Sequence, residues 1–197
     1  MGLKEKIIEE SLKLFSVNGY INTSVTDILE AAGTSKGGFY NHFKSKDELF
    51  HAALSKARQL WRERNLDGVE SITPARLKLI KILENYRDKY LPDQDNFPGG
   101  CIFVNLAVEL NDQSPELAYE VNEGFTRLKG MIRRFLDEAR DSGHLQDSFD
   151  TRQITELIFS GLLGACVMFT SDKSRDNLNC TINALIKLLT GLTLKEA

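Results

Sequence analysis

Apolar residues recur along this chain every three to four positions, which is the spacing of amphipathic α-helices. The first such stripe ends at Asn18-Gly19 and consists of Ile7, Ile8, Leu12, Leu14 and Phe15. The alternation of apolar and polar residues that is typical of strands does not stand out, and neither does an internal repeat. The pattern therefore predicts an all-α chain of about nine helices.

Capping residues mark where the N-terminal helices begin and end. Ser24, Ser35 and Ser45 each precede a helical segment and can accept a backbone N–H of its first turn. Gly33 can take the positive φ that ends a helix. These signals predict three or four helices in an N-terminal unit, which is a three-helix helix-turn-helix head followed by a long helix. The third helix is very short and ends at His42.

Five further helices are predicted behind a linker at 67–73. Their ranges are 74–90, 101–110, 114–142, 150–169 and 174–194. The segment 101–110 is nearly all apolar, which predicts that this helix is buried on all sides.

The composition is that of a soluble globular protein, with 42% hydrophobic and 27% charged residues over 197 positions. We expect no membrane-spanning segment, no targeting peptide and a cytoplasmic location, since apolar runs are short and the N-terminal segment contains acids. A net charge of −3 argues against indiscriminate nucleic-acid binding. However, the stretch from Gly33 to Lys46 holds three lysines, His42 and no acid, so charge is segregated along the chain.

Residues for catalysis or metal binding do not stand out in a recognisable arrangement. Cys101, Cys166 and Cys180 are widely spaced, and no histidine lies at ligand spacing from them. Gly37-Gly38 is not a phosphate loop, because no predicted strand precedes it. We therefore expect no metal, no cofactor and no enzymatic activity. The alternatives from other classes are a helical-bundle enzyme and a helical adaptor that binds only protein.

The stretch 24–46 has the layout of a helix-turn-helix motif, a DNA-binding unit whose second helix enters the major groove. Phe39 and Phe43 lie four residues apart, on one helix face. Together with Leu29 and Ala32 they are expected to form the small core of the motif. The opposite side of the short second helix is then left to face outward.

Two adjacent glycines within this short helix support a DNA-binding interpretation. Each costs roughly 1 kcal/mol relative to alanine inside a helix. Such a cost is tolerated where another surface must approach the backbone closely, as in a major groove. The alternative, a small helical bundle with a solvated lysine face, does not explain Gly37 and Gly38.

The outward side chains of the motif predict a division of roles on DNA. Asn41 is suited to pair with adenine and Ser35 with either class of base, whereas Gly37 and Gly38 let the backbone approach the bases. Direct base contacts are then few, so part of the specificity is expected to come from DNA shape. Phosphate contacts are predicted from Thr26, Lys36, Tyr40, His42 and Lys46.

The N-terminal fifty-odd residues resemble the TetR/AcrR family of bacterial one-component transcription regulators. The matching positions are Phe15, Gly19, Thr23, Ser24, Thr26, Ile28, Ala31, Ala32, Gly33, Ser35, Lys36, Gly37, Phe39, Tyr40, His42, Phe43, Lys46, Leu49 and Phe50. A second local match, GGCIFVNLAVELNDQSPEL at 99–117, is similar to the sixth-helix region of one branch of that family.

The resemblance implies both a division of the chain and a function. It implies a helix-turn-helix DNA-binding domain over 1–48, a connecting helix over 46–66, and a ligand-binding and dimerisation domain over 67–197. The function it implies is that of a homodimeric transcriptional repressor. Such a protein binds a palindromic double-stranded DNA operator and is released from it by a small-molecule inducer.

Two apolar helices near the C-terminus are candidates for the dimer interface. Small residues within 158–166 let helices approach closely, and the last helix carries Leu178, Ile182, Leu185, Ile186 and Leu189. Two such helices from each of two chains would make a four-helix interface. The alternative is that both helices complete the core of a single chain.

The helix from Cys101 is the candidate for the ligand site. Asn105 and Glu109 follow Cys101 at i+4 and i+8, which predicts one shared face, and a pocket can supply the partners that such polar groups need. The alternative is that they bind neighbouring backbone groups or an arginine such as Arg127. Aromatic lining is expected from Tyr86, Tyr90, Phe103, Phe125 and Phe169, so the expected inducer is hydrophobic or aromatic.

Cys101 is also a candidate sensor in its own right. It follows Pro98-Gly99-Gly100 near a predicted helix N-terminus, where the helix dipole lowers the pKa of a thiol. The resemblance adds that some members of this branch sense electrophiles or oxidants through cysteine. The alternative function is therefore a cysteine-based electrophile- or redox-sensing repressor. The competing interpretation of Cys101 is a buried and unreactive thiol.

Overall fold

Nine α-helices make up the described part of the chain, which in this computed structural model comprises residues 2–146 and 148–192. In chain order they are α1 (Leu3–Asn18), α2 (Val25–Ala32), α3 (Lys36–Tyr40), α4 (Lys46–Asn65), α5 (Ala75–Asn85), α6 (Ile102–Leu110), α7 (Pro115–Asp141), α8 (Thr151–Asp172) and α9 (Arg175–Gly191). A π-helical turn over Tyr86–Tyr90 continues α5 directly. No strand is present among these residues, so the predicted all-α fold is confirmed. The predicted end of the last helix at Leu194 lies outside the described residues.

The predicted capping residues begin and end the helices of the N-terminal unit. The Ser24 hydroxyl accepts a hydrogen bond from the Asp27 N–H (3.1 Å), and the Asp27 carboxylate accepts one in return from the Ser24 N–H (2.7 Å). Gly33 ends α2 with a φ of 63°, in the left-handed region that favours glycine. The one difference is that α3 ends at Tyr40 rather than at His42.

A core of aromatic rings joins α1 to the long helix α4. The ring centroids of Phe15 and Phe50 lie 6.1 Å apart, and Tyr20 packs edge-on against them at 5.5 and 5.0 Å. Phe39 and Phe43 lie at 5.8 Å from each other and are buried as predicted. Helices α2, α3 and α4 all contact α1, so the helix-turn-helix unit, α2 and α3, packs on the same helix as these rings.

The C-terminal helices pack into a bundle in which α8 contacts both α7 and α9. Its buried side chains include Ile158, Phe159, Leu162 and Cys166 of α8 and Leu178, Ile182, Leu185 and Leu189 of α9. These buried side chains therefore complete the core of a single chain, which corrects their assignment to a dimer interface and supports the alternative for them. Gly164, in the same predicted segment, is exposed, and the dimer itself stays a prediction.

By length and composition alone, α8 is long and apolar enough to cross a membrane. It is the one such helix among the residues that the structure describes. A helix in the core of a soluble protein meets the same criteria. The contacts of α8 with α7 and α9 are those of a bundle core.

Helix α6 is not buried on all sides, contrary to the prediction. Val108 is 77% exposed, whereas Ile102, Leu106 and Leu110 are buried. The buried faces of α6 pack against α1 on one side and against α7 and α8 on the other. As a result, α6 bridges the N-terminal unit and the C-terminal bundle.

Candidate DNA-binding surface and ligand cavity

The outer face of the helix-turn-helix unit presents most of the side chains that were predicted to contact DNA. Phe39 is buried, so the opposite side of α3 points outward. The exposed residues are Thr26, Ser35, Lys36, Gly37, Tyr40 and Asn41, and Gly38, His42 and Lys46 are half-buried. The Ser35 hydroxyl accepts a hydrogen bond from the Gly38 N–H (3.2 Å), so it begins α3 and keeps its own proton to donate.

The two glycines of α3 have different surroundings. A Cβ at Gly37 would meet only the Ser35 hydroxyl, at 3.8 Å. A Cβ at Gly38 would overlap the Thr34 hydroxyl and contact the Leu3 side chain at 3.5 Å. Packing against Thr34 is thus one reason for a glycine at position 38, whereas Gly37 has open space around it, and the predicted close approach of DNA stays a prediction at both.

Lys46 is largely used within the protein. Its Nζ donates hydrogen bonds to the carbonyl oxygens of Tyr20 (2.9 Å) and Thr23 (3.0 Å) and lies 4.1 Å from the centroid of the Tyr20 ring. Burial lowers the pKa of Lys46, against the opposing effect of the Asp47 and Glu109 carboxylates. Two of its three N–H donors thus hold the turn after α1, which leaves one for the predicted phosphate contact.

Lys44 adds an exposed cation that was not among the predicted contacts. It lies in the loop between α3 and α4. The acid-free stretch from Gly33 to Lys46 was the signal that could have identified it. Its position beside α3 makes it a further candidate for phosphate contact.

A cavity of about 210 Å³ lies between α4 and the C-terminal bundle. Its apolar wall includes Trp61, Phe103, Phe125, Leu128, Met131 and Leu163. Its buried inner end is formed by Tyr86, Cys101 and Cys166, and its more exposed rim by Arg58, Arg62 and Arg127. The Trp61 Nε1–H donates to the Tyr86 hydroxyl (2.6 Å), so these two polar groups satisfy each other.

Only some of the predicted ligand residues line this cavity. Tyr86, Cys101, Phe103 and Phe125 do so. Tyr90 and Phe169 do not, because both are buried behind the wall, where the Tyr90 hydroxyl lies 3.5 Å from the Cys101 Sγ. The predicted aromatic residues therefore form two groups. Some line the cavity, and Tyr90 and Phe169 are buried outside its lining.

The lining residues of α4 and α8 were missed by the sequence prediction. Arg58, Trp61 and Arg62 follow one another at i, i+3 and i+4, which places them on one face of a predicted helix. That spacing was an available signal for α4. For Cys166 there was no such signal in the sequence, because no local pattern shows that it lies beside Cys101.

Asn105 and Glu109 face the N-terminal unit instead of the cavity, which corrects their assignment as ligand residues. The Glu109 carboxylate accepts hydrogen bonds from the Tyr20 N–H (2.7 Å) and the Ile21 N–H (2.9 Å), in the turn after α1. The alternative, that these side chains satisfy neighbouring backbone groups, is right. The physical reason is that eight residues make two helical turns plus about 80°, so Glu109 does not share the face of Cys101.

Two glycines let α1 and α6 approach closely enough for these contacts. The Gly99 N–H donates to the Ser16 hydroxyl (3.1 Å), and the Asn105 Nδ2 donates to the Ser16 carbonyl (3.1 Å). A Cβ at Gly99 would overlap the Ser16 carbonyl, and one at Gly19, where φ is 79°, would overlap the Glu109 carboxylate. We call this set of contacts the α1–α6 latch: Ser16, Gly19, Tyr20 and Ile21 on one side, and Gly99, Asn105 and Glu109 on the other.

Cys101 and Cys166 meet at the inner end of the cavity, and both are buried. A hydrogen bond from the Cys166 thiol lowers the pKa of the Cys101 thiol to about 7. Burial opposes this effect, while the Tyr90 hydroxyl and the backbone N–H groups of Val104 and Phe103 add to it. The predicted influence of the helix N-terminus is thus present through the backbone groups, but the second cysteine has the larger effect.

Two family models match the chain one after the other. The model of bacterial regulatory proteins of the tetR family matches residues 7–53, which contain the helix-turn-helix unit. The model of the tetracycline repressor-like C-terminal domain matches residues 75–185, more than half of the chain. The chain belongs to the TetR family of bacterial transcriptional regulators.

Relatives and solved structures of the TetR family cover nearly the whole chain. The repressor DhaR of Mycobacterium sp. (strain GP1) is 21% identical over 187 residues, which are 95% of this chain and 92% of DhaR. A TetR regulator from Chloroflexus aurantiacus superposes with a TM-score of 0.88 at 27% identity, covering 97% of this chain and 96% of that one. A cysteine mutant of the TetR regulator CifR, in complex with a 26-base-pair operator DNA, gives 0.80 at 20% identity, covering 93% and 94%.

As a TetR-family member, the protein is a DNA-binding transcriptional repressor of the helix-turn-helix type, which confirms the predicted function. The members of the TetR family are regulators that bind DNA. The individual DNA contacts and the domain boundaries at 48 and 66 remain predictions.

Proposed function

We propose that this TetR-family regulator is a cytoplasmic homodimer that binds a palindromic operator and is released from it by a small hydrophobic or aromatic inducer. The observation that carries the inducer's action is that two helices, α4 and α6, both line the cavity and contact the turn after α1. Trp61 of α4 and Phe103 of α6 line the cavity. Lys46 of α4 and Glu109 of α6 hold the turn after α1.

The shared helices give an occupant of the cavity a route to the DNA-binding unit. A ligand changes the operator affinity only as far as it binds one arrangement of the helices better than the other. The α1–α6 latch consists of hydrogen bonds to backbone groups, so a shift of α6 either moves the turn after α1 or breaks the latch. Both outcomes change how the helix-turn-helix unit is held.

An exposed apolar strip on α8 supports the dimer. Leu157, Val167 and Met168 are 52%, 48% and 55% exposed. Gly164 lies among them, and nothing is found within 4 Å of a Cβ built at this glycine. Because Leu157, Gly164 and Met168 share one helix face, the same strip of a second chain can pack on it around a two-fold axis. A dimer reads two half-sites about 34–36 Å apart.

Lys36→Ala and Asn41→Ala are expected to separate phosphate contact from base reading. Loss of Lys36 should weaken binding to operator and random DNA alike and reduce the slope of log affinity against log salt concentration by about 1. Loss of Asn41 should lower the discrimination between the two DNAs by about 1–3 kcal/mol. Fluorescence anisotropy titrations over a salt series measure both effects.

Asn122→Ala is the matched control, because Asn122 is exposed on α7, far from the helix-turn-helix unit in sequence. It is expected to leave both affinities unchanged. Equal losses on operator and random DNA for Asn41→Ala would show that Asn41 does not read bases.

The cavity also supports a second proposal, that Cys101 senses electrophiles. Its thiol lines the cavity beside Cys166, so a small electrophile that enters meets a thiol whose pKa is lowered. With a quinone or an α,β-unsaturated carbonyl compound, a bond forms between the Cys101 sulfur and the β-carbon. The electron pair of the double bond moves to the carbonyl oxygen, which then takes up a proton.

Cys101→Ser is expected to abolish the release of DNA by such electrophiles. Since the pKa of Cys101 is lowered to about 7, its thiolate fraction and its alkylation rate should increase as the pH rises through about 7. An ordinary thiol, with a pKa of about 8.5, shows this increase only at higher pH. Mass spectrometry over a pH series measures this rate, with the exposed Cys180 as the internal comparison. Normal release of DNA from the Cys101→Ser protein would show this second proposal to be wrong.

A further inference from the structure

The rim of the cavity carries three arginines around an otherwise apolar space. Arg58 is half-buried, whereas Arg62 and Arg127 are exposed. The first two lie four residues apart on α4, and the third belongs to α7. The solvent-facing end of the cavity is therefore cationic, while its inner end holds aromatic rings and thiols.

Two carboxylates, Glu120 and Glu123, act electrostatically on Arg58, and each has another ion-pair partner. Glu123 forms an ion pair with Arg127, and Glu120 pairs with the His51 Nδ1 at 2.9 Å. Arg58 donates to the backbone carbonyl of Glu120 (2.6 Å), which is a neutral acceptor. Among the described residues, neither arginine of α4 at the rim has a carboxylate within 4.0 Å.

The electrostatic position of Arg58 is unfavourable without a ligand. Burial lowers the pKa of its guanidinium, and the charges of Arg127 and Arg62 lower it further, against the opposing effect of Glu120 and Glu123. A guanidinium nevertheless stays protonated in a protein. An anion placed at this rim would offset the two uncompensated charges of Arg58 and Arg62 and replace the hydration that Arg58 has lost.

We propose that the cavity binds a small carboxylic acid as its anion, with the carboxylate among the rim arginines and an aromatic or short aliphatic body against Trp61. This inference rests on the proposed inducer site and names its ligand class. Guanidinium groups match carboxylates in geometry and charge, and the apolar wall accommodates the body. The volume of about 210 Å³ is below the roughly 300–1,000 Å³ of drug-sized ligand sites, which favours a small ligand over one with a long acyl chain.

The intrinsic fluorescence of the protein reports on this site directly, because Trp61 is the only tryptophan of the chain. Phenylacetate, phenylacetamide and phenethylammonium are anionic, neutral and cationic compounds of similar size, and each is titrated against the full chain without DNA. Phenylacetate is expected to bind about 10- to 100-fold more tightly than phenylacetamide, through charge-assisted hydrogen bonds. Palmitoyl-coenzyme A, added as a competitor, is expected not to displace it.

Substitutions of the rim arginines test which groups hold the anion. Arg58→Met and Arg62→Met are each expected to bring the affinity for phenylacetate towards that for phenylacetamide. Arg62→Met keeps the test valid if Arg58→Met does not fold, because Arg62 is exposed whereas Arg58 joins α4 to α7. Arg152→Met, at the exposed start of α8 and outside the cavity lining, is the matched control and should bind phenylacetate normally.

Four results would overturn the proposed ligand class. They are equal affinity for phenylacetate and phenylacetamide, tighter binding of phenethylammonium, displacement by palmitoyl-coenzyme A, and no change of Trp61 fluorescence with any of the three compounds. Operator affinity is measured separately. If phenylacetate binds tightly but leaves operator affinity unchanged, the ligand class stands and the proposed inducer action is wrong.

Discussion

Replacing Gly164 with arginine is expected to convert the homodimer into a monomer and to lower its operator affinity by about 10³-fold or more. Gly164 lies in the exposed strip of α8 between Leu157 and Met168, with open space where a side chain would begin. The arginine would therefore spare the core of the single chain but bring a charge into the proposed interface. A monomer contacts one half-site, so its affinity falls towards that of nonspecific binding.

Gly130→Arg on α7 is the matched control, because Gly130 is also exposed and also has nothing within 4 Å of a Cβ. Each change removes a glycine from an exposed position of a helix, which favours the helix by up to about 1 kcal/mol, so neither should destabilise the single chain. Light scattering gives the mass and anisotropy titration gives the affinity. A Gly164→Arg protein that stays dimeric would show that this strip of α8 is not the interface.

Removing the Glu109 carboxylate is expected to lower both the stability of the protein and its response to ligand. Glu109→Ala leaves the Tyr20 and Ile21 N–H groups without their acceptor. Hydrogen bonds to a charged group contribute about 1.5–3 kcal/mol each, and less where water reaches them, so we expect a total loss of about 2–3 kcal/mol. Thermal unfolding should show this as a fall in Tm of about 4–12 °C. A ligand in the cavity should also change operator affinity less than in the unmodified protein.

Two further variants show whether the α1–α6 latch is responsible. Glu138→Ala removes an exposed carboxylate of α7 and should change stability by no more than about 0.5 kcal/mol. Glu109→Gln keeps one acceptor oxygen and should fall between the two alanine variants. If Glu109→Ala and Glu138→Ala unfold at the same temperature and respond equally to ligand, the latch neither stabilises the protein nor couples the cavity to DNA binding.

Features that depend on neighbouring residues could be predicted from the sequence. Ser24, Gly33 and Ser35 act on backbone groups a few residues away, so they define the helix-turn-helix unit by local chemistry alone. The outward face of α3 follows in the same way, because the helical period places it opposite Phe39. For the cavity, the sequence correctly indicated Tyr86, Cys101, Phe103 and Phe125, but the same reasoning also assigned Tyr90, which does not line it.

Contacts between distant residues could not be predicted in this way. Tyr20 and Glu109 are 89 positions apart, and no local pattern shows that one binds the other. Periodicity shows that a helix face is buried but not against what, which is why the stripe of α9 was assigned to a partner chain although it packs in its own. The exposed strip of α8 became visible only once the packing of α7, α8 and α9 was known.

Selection of binding sites from a pool of random double-stranded DNA, followed by sequencing, tests the central claim most directly. For the purified full chain we expect a palindromic site whose half-sites lie about one helical turn apart, roughly 34–36 Å. The same selection with Gly164→Arg should lose the paired half-sites, and with Asn41→Ala it should give a less well-defined sequence. Enrichment of no sequence by the unmodified chain, or of single half-sites alone, would contradict a dimeric repressor that reads its operator through α3.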